Sequence, residues 1–249
     1  AGEVLVRRKL EVLQGRNEAA VLKHCGAMPS GYVLNTPLEE IAFHLQLLER
    51  LEAETVVLDV YNRPGDDYSE LTICAPDDPQ PGTLARITGV LYGCGVDIHR
   101  AQAFTMQRER PVVLDTLRVR SQRMPISENR ARRIRAALVR VLAGGEDVEA
   151  FLARSGISPA GGIMIDAIDL RNDLSEEHTV VHVVAPDLQG LLYLMTRALS
   201  RCGLHIHSAK VATWNGRAEN NFYVTAGSGP IPAAHLDRWT GRLRAALAG

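Results

Sequence analysis

Residues 82–105, GTLARITGVLYGCGVDIHRAQAFT, return at 190–213 as GLLYLMTRALSRCGLHIHSAKVAT. At an offset of 108, 10 of the 24 positions are identical: Gly82, Leu84, Thr88, Leu91, Cys94, Gly95, Ile98, His99, Ala101 and Thr105 with their twins. Self-similarity over such a length predicts one supersecondary unit written twice. The repeat also reaches upstream. Asp59, Asn62 and the run Ala75-Pro76-Asp77 recur as Asp169, Asn172 and Ala185-Pro186-Asp187, now at an offset of 110. The offset falls because the first copy carries two extra residues between Asp77 and Gly82.

Each copy opens with two β-rich runs around a polar turn. ETVVLDVY and SELTICA flank NRPGDD; GIMIDAIDL and HTVVHVVA flank RNDLSEE. These predict hairpins. A helix follows, with Leu84, Ile87, Val90 and Leu91 on one face in the first copy and Leu191, Leu192, Met195, Ala198 and Leu199 in the second. Gly95 and Gly203 stop these helices. Two strands and a closing helix, over 127–142 or 232–248, complete each copy. The order strand, strand, helix, strand, strand, helix is a permuted ferredoxin-like unit of the α/β (α+β) class. The leading strand takes the sheet position that a final strand fills in the usual order. Each unit is then a four-stranded antiparallel sheet with two helices on one face. The other face needs a cover, and we expect a second sheet, from the twin unit or a second chain.

Ahead of the repeat lies a helical segment. Residues 1–27 have a helical pattern, broken by MPSG at 28–31. A second helix is expected to start with Thr36 as cap, Pro37 in the first position and Glu39 closing a capping box, with Leu38, Ile41, Ala42, Leu45, Leu48 and Leu51 as its buried stripe. The expected division is 1–53 helical segment, 54–143 first unit, 144–161 linker with a short helical piece, and 162–249 second unit.

Composition excludes more than it selects. Of 249 residues 46% are hydrophobic and 23% charged, and the net charge is -1, so no global basic field points to nucleic acid or an anionic membrane. Apolar runs fall well short of the ~18 residues that a spanning helix needs. With no Met and no signal-type segment at Ala1, a cytoplasmic chain is expected, either whole or cut from something longer. Cys25, Cys74, Cys94 and Cys202 lack metal or redox spacing and read as small apolar residues. GxSxG, Walker A, HExxH and GxGxxG are all missing, so no catalytic motif and no cofactor is indicated.

Two features carry chemistry. The turn APDLQGLLYLM puts an acid and a glycine at a helix start, where free backbone N–H groups suit a carboxylate and Asp187 suits either a cap or an ammonium group. His205 and His207, with Asp97 and His99 as twins, sit two apart on strands. They read as interface residues or, less simply, as part of a metal site. The basic run RARRIR at 130–135 reads as a solvated face or the contact for an acidic partner.

PGTLARITGVLYGCGVDIHRAQAFT and DLQGLLYLMTRALSRCGLHIHSAKVAT resemble ACT domains, small ferredoxin-like modules that bind amino acids and regulate enzymes. The pairing, the Asp-x-x-Gly loop at 187–190 and the upstream PSGYVLNTPLEEIAFHLQLL together resemble the C-terminal region of the bifunctional PII uridylyltransferase/uridylyl-removing family, over residues 29–249. That resemblance implies a glutamine-sensing module controlling a nucleotidyltransferase-type catalytic region, itself non-catalytic. It implies amino-acid contacts from Asp187, Leu188, Gln189, Gly190, Leu191, Leu192, His205 and Ile206, and from Gly82, Thr83, Leu84, Asp97 and Ile98. The family loop is Asp-Arg-Pro-Gly. DLQG keeps its length whereas DDPQPG is two longer, so the second loop is expected to be the better site and Gly190 the more sensitive glycine. The family's strand asparagine is replaced by Asp97 and His205. Expected partners are a small amino acid, a twin unit or second copy of the chain, and a catalytic region, with neither nucleic acid nor membrane. The rival readings are a dimerisation module with vestigial pockets and a metal-dependent enzyme.

Overall fold

The computed structural model describes residues 18–158 and 162–248. Three helices lead: α1 (Glu18–Ala27), α2 (Ser30–Asn35) and α3 (Leu38–Leu51). The first unit is β1 (Val57–Asn62), β2 (Ser69–Pro76), α4 (Thr83–Gly93), β3 (Asp97–Met106), β4 (Val112–Arg120) and α5 (Glu128–Leu142). A short helix α6 (Val148–Arg154) intervenes. The second unit is β5 (Ala167–Arg171), β6 (Thr179–Pro186), α7 (Leu191–Arg201), β7 (Leu204–Trp214), β8 (Arg217–Ala226) and, after a 3-10 turn, α8 (Leu236–Ala248).

All eight strands form one antiparallel sheet in the order β1-β2-β4-β3-β7-β8-β6-β5. The leading strands take the permuted position: β1 pairs only with β2, and β5 only with β6. β3 meets β7 at the centre, with Gln102 opposite Lys210. These two are repeat twins, so the units are related by a local two-fold axis through that pair. The same axis passes between α4 and α7, where the twins Thr88 and Thr196 join hydroxyls at 3.1 Å. Each hydroxyl is also within bonding distance of a carbonyl one turn back, so the buried polar pair is fully occupied.

Both units share one apolar core on the helical face. Ile87, Leu91, Leu117, Leu138, Val181, Met195, Phe222 and Leu243 are all closed to solvent in it. Gly89 and Gly93 of α4 give α6 its seat: a Cβ on Gly89 would lie 2.5 Å from Val148, and one on Gly93 would collide with the Phe151 ring. The twin positions hold Arg197 and Arg201, which clasp Glu149 of α6. Gly95 and Gly203 follow α4 and α7 at φ 69 and 80, the left-handed C′ geometry expected of them.

The opposite sheet face differs between units, and here the expected cover is corrected. The two sheets do not stack; they join edge to edge. Over the first unit the cover is helical, where Val21, Cys25, Tyr32, Ile41 and Leu47 pack on Val57, Cys74, Met106 and Leu114. The second unit instead carries His182, Lys210, Glu219, Asn221 and Tyr223 on that face, half-buried or exposed. This polar face needs no apolar cover. The helix starts also differ from expectation. Residues 30–35, within and beyond the predicted break, form α2. α3 begins at Leu38, one residue later, with Pro37 as its N-cap and no side-chain cap bond. Of the predicted helical segment 1–27, residues 1–17 lie outside the described residues.

Candidate functional site

The antiparallel seam sets the two candidate loops crosswise. The first loop and helix start (Asp77 to Ala85) face β7 of the second unit, together with Thr196 and Ser200 of α7. The second loop and helix start (Asp187 to Tyr193) face β3 of the first unit, with Thr88 and Tyr92 of α4. Thus Gly82, Thr83 and Leu84 meet His205 and Ile206, whereas Asp187, Leu188, Gly190, Leu191 and Leu192 meet Asp97 and Ile98. Gln189 does not line either space.

The first space is a cavity of about 190 Å³ and its twin only about 20 Å³. A single water needs roughly 10–15 Å³ of such space, so the first takes a ligand many waters in size and the second about one water. In openness the two spaces run opposite to the ranking expected of the loops. Tyr92 is the cause. Its ring lies against Gly190 so tightly that a Cβ there would stand 2.7 Å from ring Cζ. The twin of Tyr92 is Ser200, whose hydroxyl stands 3.0 Å from a Cβ placed on Gly82 and leaves the space above that loop open. A second exchange acts the same way: Tyr193 crowds the closed side, and its twin Ala85 lines the open one.

The longer first loop is built rather than slack. Asp78 accepts from Gln80 N–H at 2.9 Å and from the Arg86 guanidinium at 3.1 Å, while Arg86 also reaches Thr83 Oγ1 at 3.1 Å. The bond from Gln80 is the main cause that holds the Asp78 carboxyl below the usual range. Gly82 caps α4 at φ 136, with no side-chain cap, so the first-turn N–H groups are left for a ligand. At the twin, Gly190 caps α7 at φ 82, and the Leu191 N–H is already bonded to Leu188 O at 3.1 Å. Asp77, at the mouth of the open cavity, has its carboxyl pushed up by burial, with the Thr83 hydroxyl, Arg86 and His205 acting the other way.

Asp115 of β4 also lines the open cavity and is only 1% exposed. Burial, then the nearby Asp77, raise its carboxyl well above the carboxylate range. It stands opposite Ala103 and Ile73. Its twin by register is Asn220, opposite Val211 and Val183, which lines the closed space. The strand pairs Asp97/His99 and His205/His207 do not act as simple same-face pairs. The ladder skips His99 between Ile98 and Arg100, and skips His207 between Ile206 and Ser208, so each second histidine sits in a bulge. Asp97 is held by Arg120 at 3.3 Å, and His99 stacks near Tyr68 with centroids 5.1 Å apart. His205 and His207 both border the open cavity, and His207 Nε2 lies 2.9 Å from Thr225 Oγ1. Burial lowers His207 to about 4, so it is neutral at neutral pH. Among the described residues no three His, Cys, Asp or Glu side chains gather as a metal site.

The paired permuted ferredoxin-like units, with loops facing a shared seam, are the fold expected from the resemblance to tandem ACT domains. The chain is similar to bifunctional uridylyltransferase/uridylyl-removing enzymes: 34% identical over 164 residues to that of Rhodopseudomonas palustris, 36% over 161 to that of Bradyrhizobium diazoefficiens and 34% over 176 to that of Streptomyces coelicolor. These matches cover 63%, 63% and 66% of this chain but only 17%, 17% and 20% of the relatives, so the chain spans about a fifth of their length. No family model matches. Among solved structures, aspartate kinase from Synechocystis overlaps 64% of this chain and 24% of its own at 16% identity and a TM-score of 0.36, too loose an overlap to argue from. Among the described residues no helix is long and apolar enough to cross a membrane.

Proposed function

We propose that this chain is a non-catalytic regulatory module that binds one small amino acid, glutamine foremost, in the cavity between the first loop and β7. The bound state then controls a uridylyltransferase-type catalytic region, in the same longer protein or in a partner. The observation that carries the reading is the open cavity itself. It offers uncapped helix N–H groups for a carboxylate beside buried acids for an ammonium group, and its size suits an amino acid rather than a nucleotide. Because its walls come from both units, a ligand there tightens the seam between α4 and α7, a direct route from occupancy to unit geometry. The choice of the controlled reaction is supported by the relatives' names, which describe uridylyl transfer and removal, and the choice of glutamine by the family resemblance of the sequence alone.

Titration calorimetry with the twenty common amino acids tests the reading. One saturable heat with a small set of ligands, glutamine the tightest, is the expected result. No heat with any of them favours a dimerisation module, a reading that the filled twin space already fits on its own side.

A further inference from the structure

Asp115 is an acid where an acid is costly. One carboxyl oxygen accepts from the backbone N–H of Phe104, while Oδ2 has no hydrogen-bond partner among the described residues. A buried carboxylate half-partnered in this way costs several kcal/mol if ionised. Around it stand Asp77, the Asp78–Arg86 ion pair, His205 and the neutral His207. Arg86 is the only permanent cation among these, and Asp78 already holds it. The twin Asn220 carries no charge, and its Nδ2 donates to the Val183 carbonyl at 3.4 Å. Among the described residues Asn220 Oδ1 is likewise buried without a hydrogen-bond partner, but the acid occurs only on the side whose cavity is open to a ligand cation.

We propose that Asp115 receives the α-ammonium group of the bound amino acid, while the ligand carboxylate takes the first-turn N–H groups of α4. This rests on the amino-acid reading above. It adds a consequence that the reading alone lacks. In the empty cavity, burial first and then Asp77 raise the Asp115 carboxyl well above its ordinary range, which favours the protonated form. When the ammonium arrives with its three protons, the carboxyl proton leaves to solvent and an ion pair remains. The empty form thus holds more protons than the complex, and affinity rises with pH until Asp115 ionises unaided.

The test is calorimetry on the whole chain with L-glutamine, or with whichever amino acid gives heat, at pH 7 in two buffers of different ionisation enthalpy. The wild type should release protons on binding. Asp115→Asn should bind about tenfold or more weakly, with no proton release. The deaminated analogue of glutamine should bind the wild type more weakly by a similar factor and be indifferent to Asp115→Asn. The variant should fold, since asparagine already stands at the twin position, and an unchanged circular dichroism spectrum checks this. Binding and proton release equal to wild type in Asp115→Asn overturn the assignment and leave the amino-acid reading intact. No heat from any amino acid with the wild type overturns both.

Discussion

The two loops are twins in sequence and in topology, yet one opens on a cavity and the other on a tyrosine. What separates them is not the loop. The first loop is the longer and less typical, and it is the open one. The deciding residues lie on the partner unit's helix, Tyr92 over Gly190 and Ser200 over Gly82, assisted by Ala85 and Tyr193. In a repeat joined by a two-fold seam, the residue that gates a copy's site belongs to the other copy, so loop comparison within one copy misjudges it.

The largest effect should come from moving the gate. Ser200→Tyr should fill the open cavity and weaken amino-acid binding beyond detection, at least about a hundredfold by calorimetry, since a ring the size of Tyr92 would occupy the ligand's volume. Retention of binding would show that the tyrosine is not what closes the twin.

The next sharpening concerns the other sheet face, where only the first unit is covered by helices. That cover contains His24, Tyr32 and His44, linked through the Tyr32 hydroxyl at 2.8 and 2.9 Å. Burial lowers both histidines to about 4, with His24 adding to the effect on His44, and burial raises the Tyr32 hydroxyl. A histidine depressed in the folded state adds stability above its unfolded value near 6.5, and this is lost as pH falls toward 4. Each contributes on the order of 3 kcal/mol across that window. Acidification from pH 7 to 4.5 should therefore loosen helices α1–α3 and the strands below them, with two histidines lowered to about 4, more than the second unit, where among the described residues His207 is the one lowered that far. Hydrogen exchange along the chain reads this directly, and uniform loosening of both units would contradict it.

A smaller effect is expected at the closed loop. Gly190→Val puts a β-branched residue at φ 82 against the Tyr92 ring, and should cost at least about 2 kcal/mol of stability by chemical denaturation. Amino-acid affinity should stay within about twofold of wild type, in contrast to the sensitivity that the loop lengths predicted. Smallest of all, Thr88→Val removes one hydroxyl from the axis pair. It should cost under about 1 kcal/mol, because Thr196 keeps a carbonyl partner.

Much of the fold was legible because the repeat made each copy a check on the other. The permuted strand order followed from β1 and β5 having upstream twins, and the helix ends followed from Gly95 and Gly203. What was not legible lies across the seam. Periodicity within a copy names Gly82, Gly190, Asp97 and His205 as neighbours of a site, but nothing in it says that β7 faces the first loop. The bulges at His99 and His207 insert a residue that alternation cannot register. Asp115 was visible as a lone acid on the face shared by Val113, Leu117 and Val119, and such an acid amid apolar strand residues is a usable signal. The Tyr92/Ser200 and Ala85/Tyr193 exchanges were visible as mismatches in the aligned repeat, where attention falls naturally on identities. The α2 turn was hidden because Pro29 and Gly31 read as breakers, although proline is well suited to a helix start.

The central claim is that one of two twin sites is open and takes one amino acid. Equilibrium dialysis of the whole chain against radiolabelled L-glutamine counts bound ligand without relying on heat. The account predicts saturation at one glutamine per chain, falling to none in Ser200→Tyr and staying at one in Gly190→Val. Saturation at two per chain, or at one that Gly190→Val removes and Ser200→Tyr spares, would contradict it.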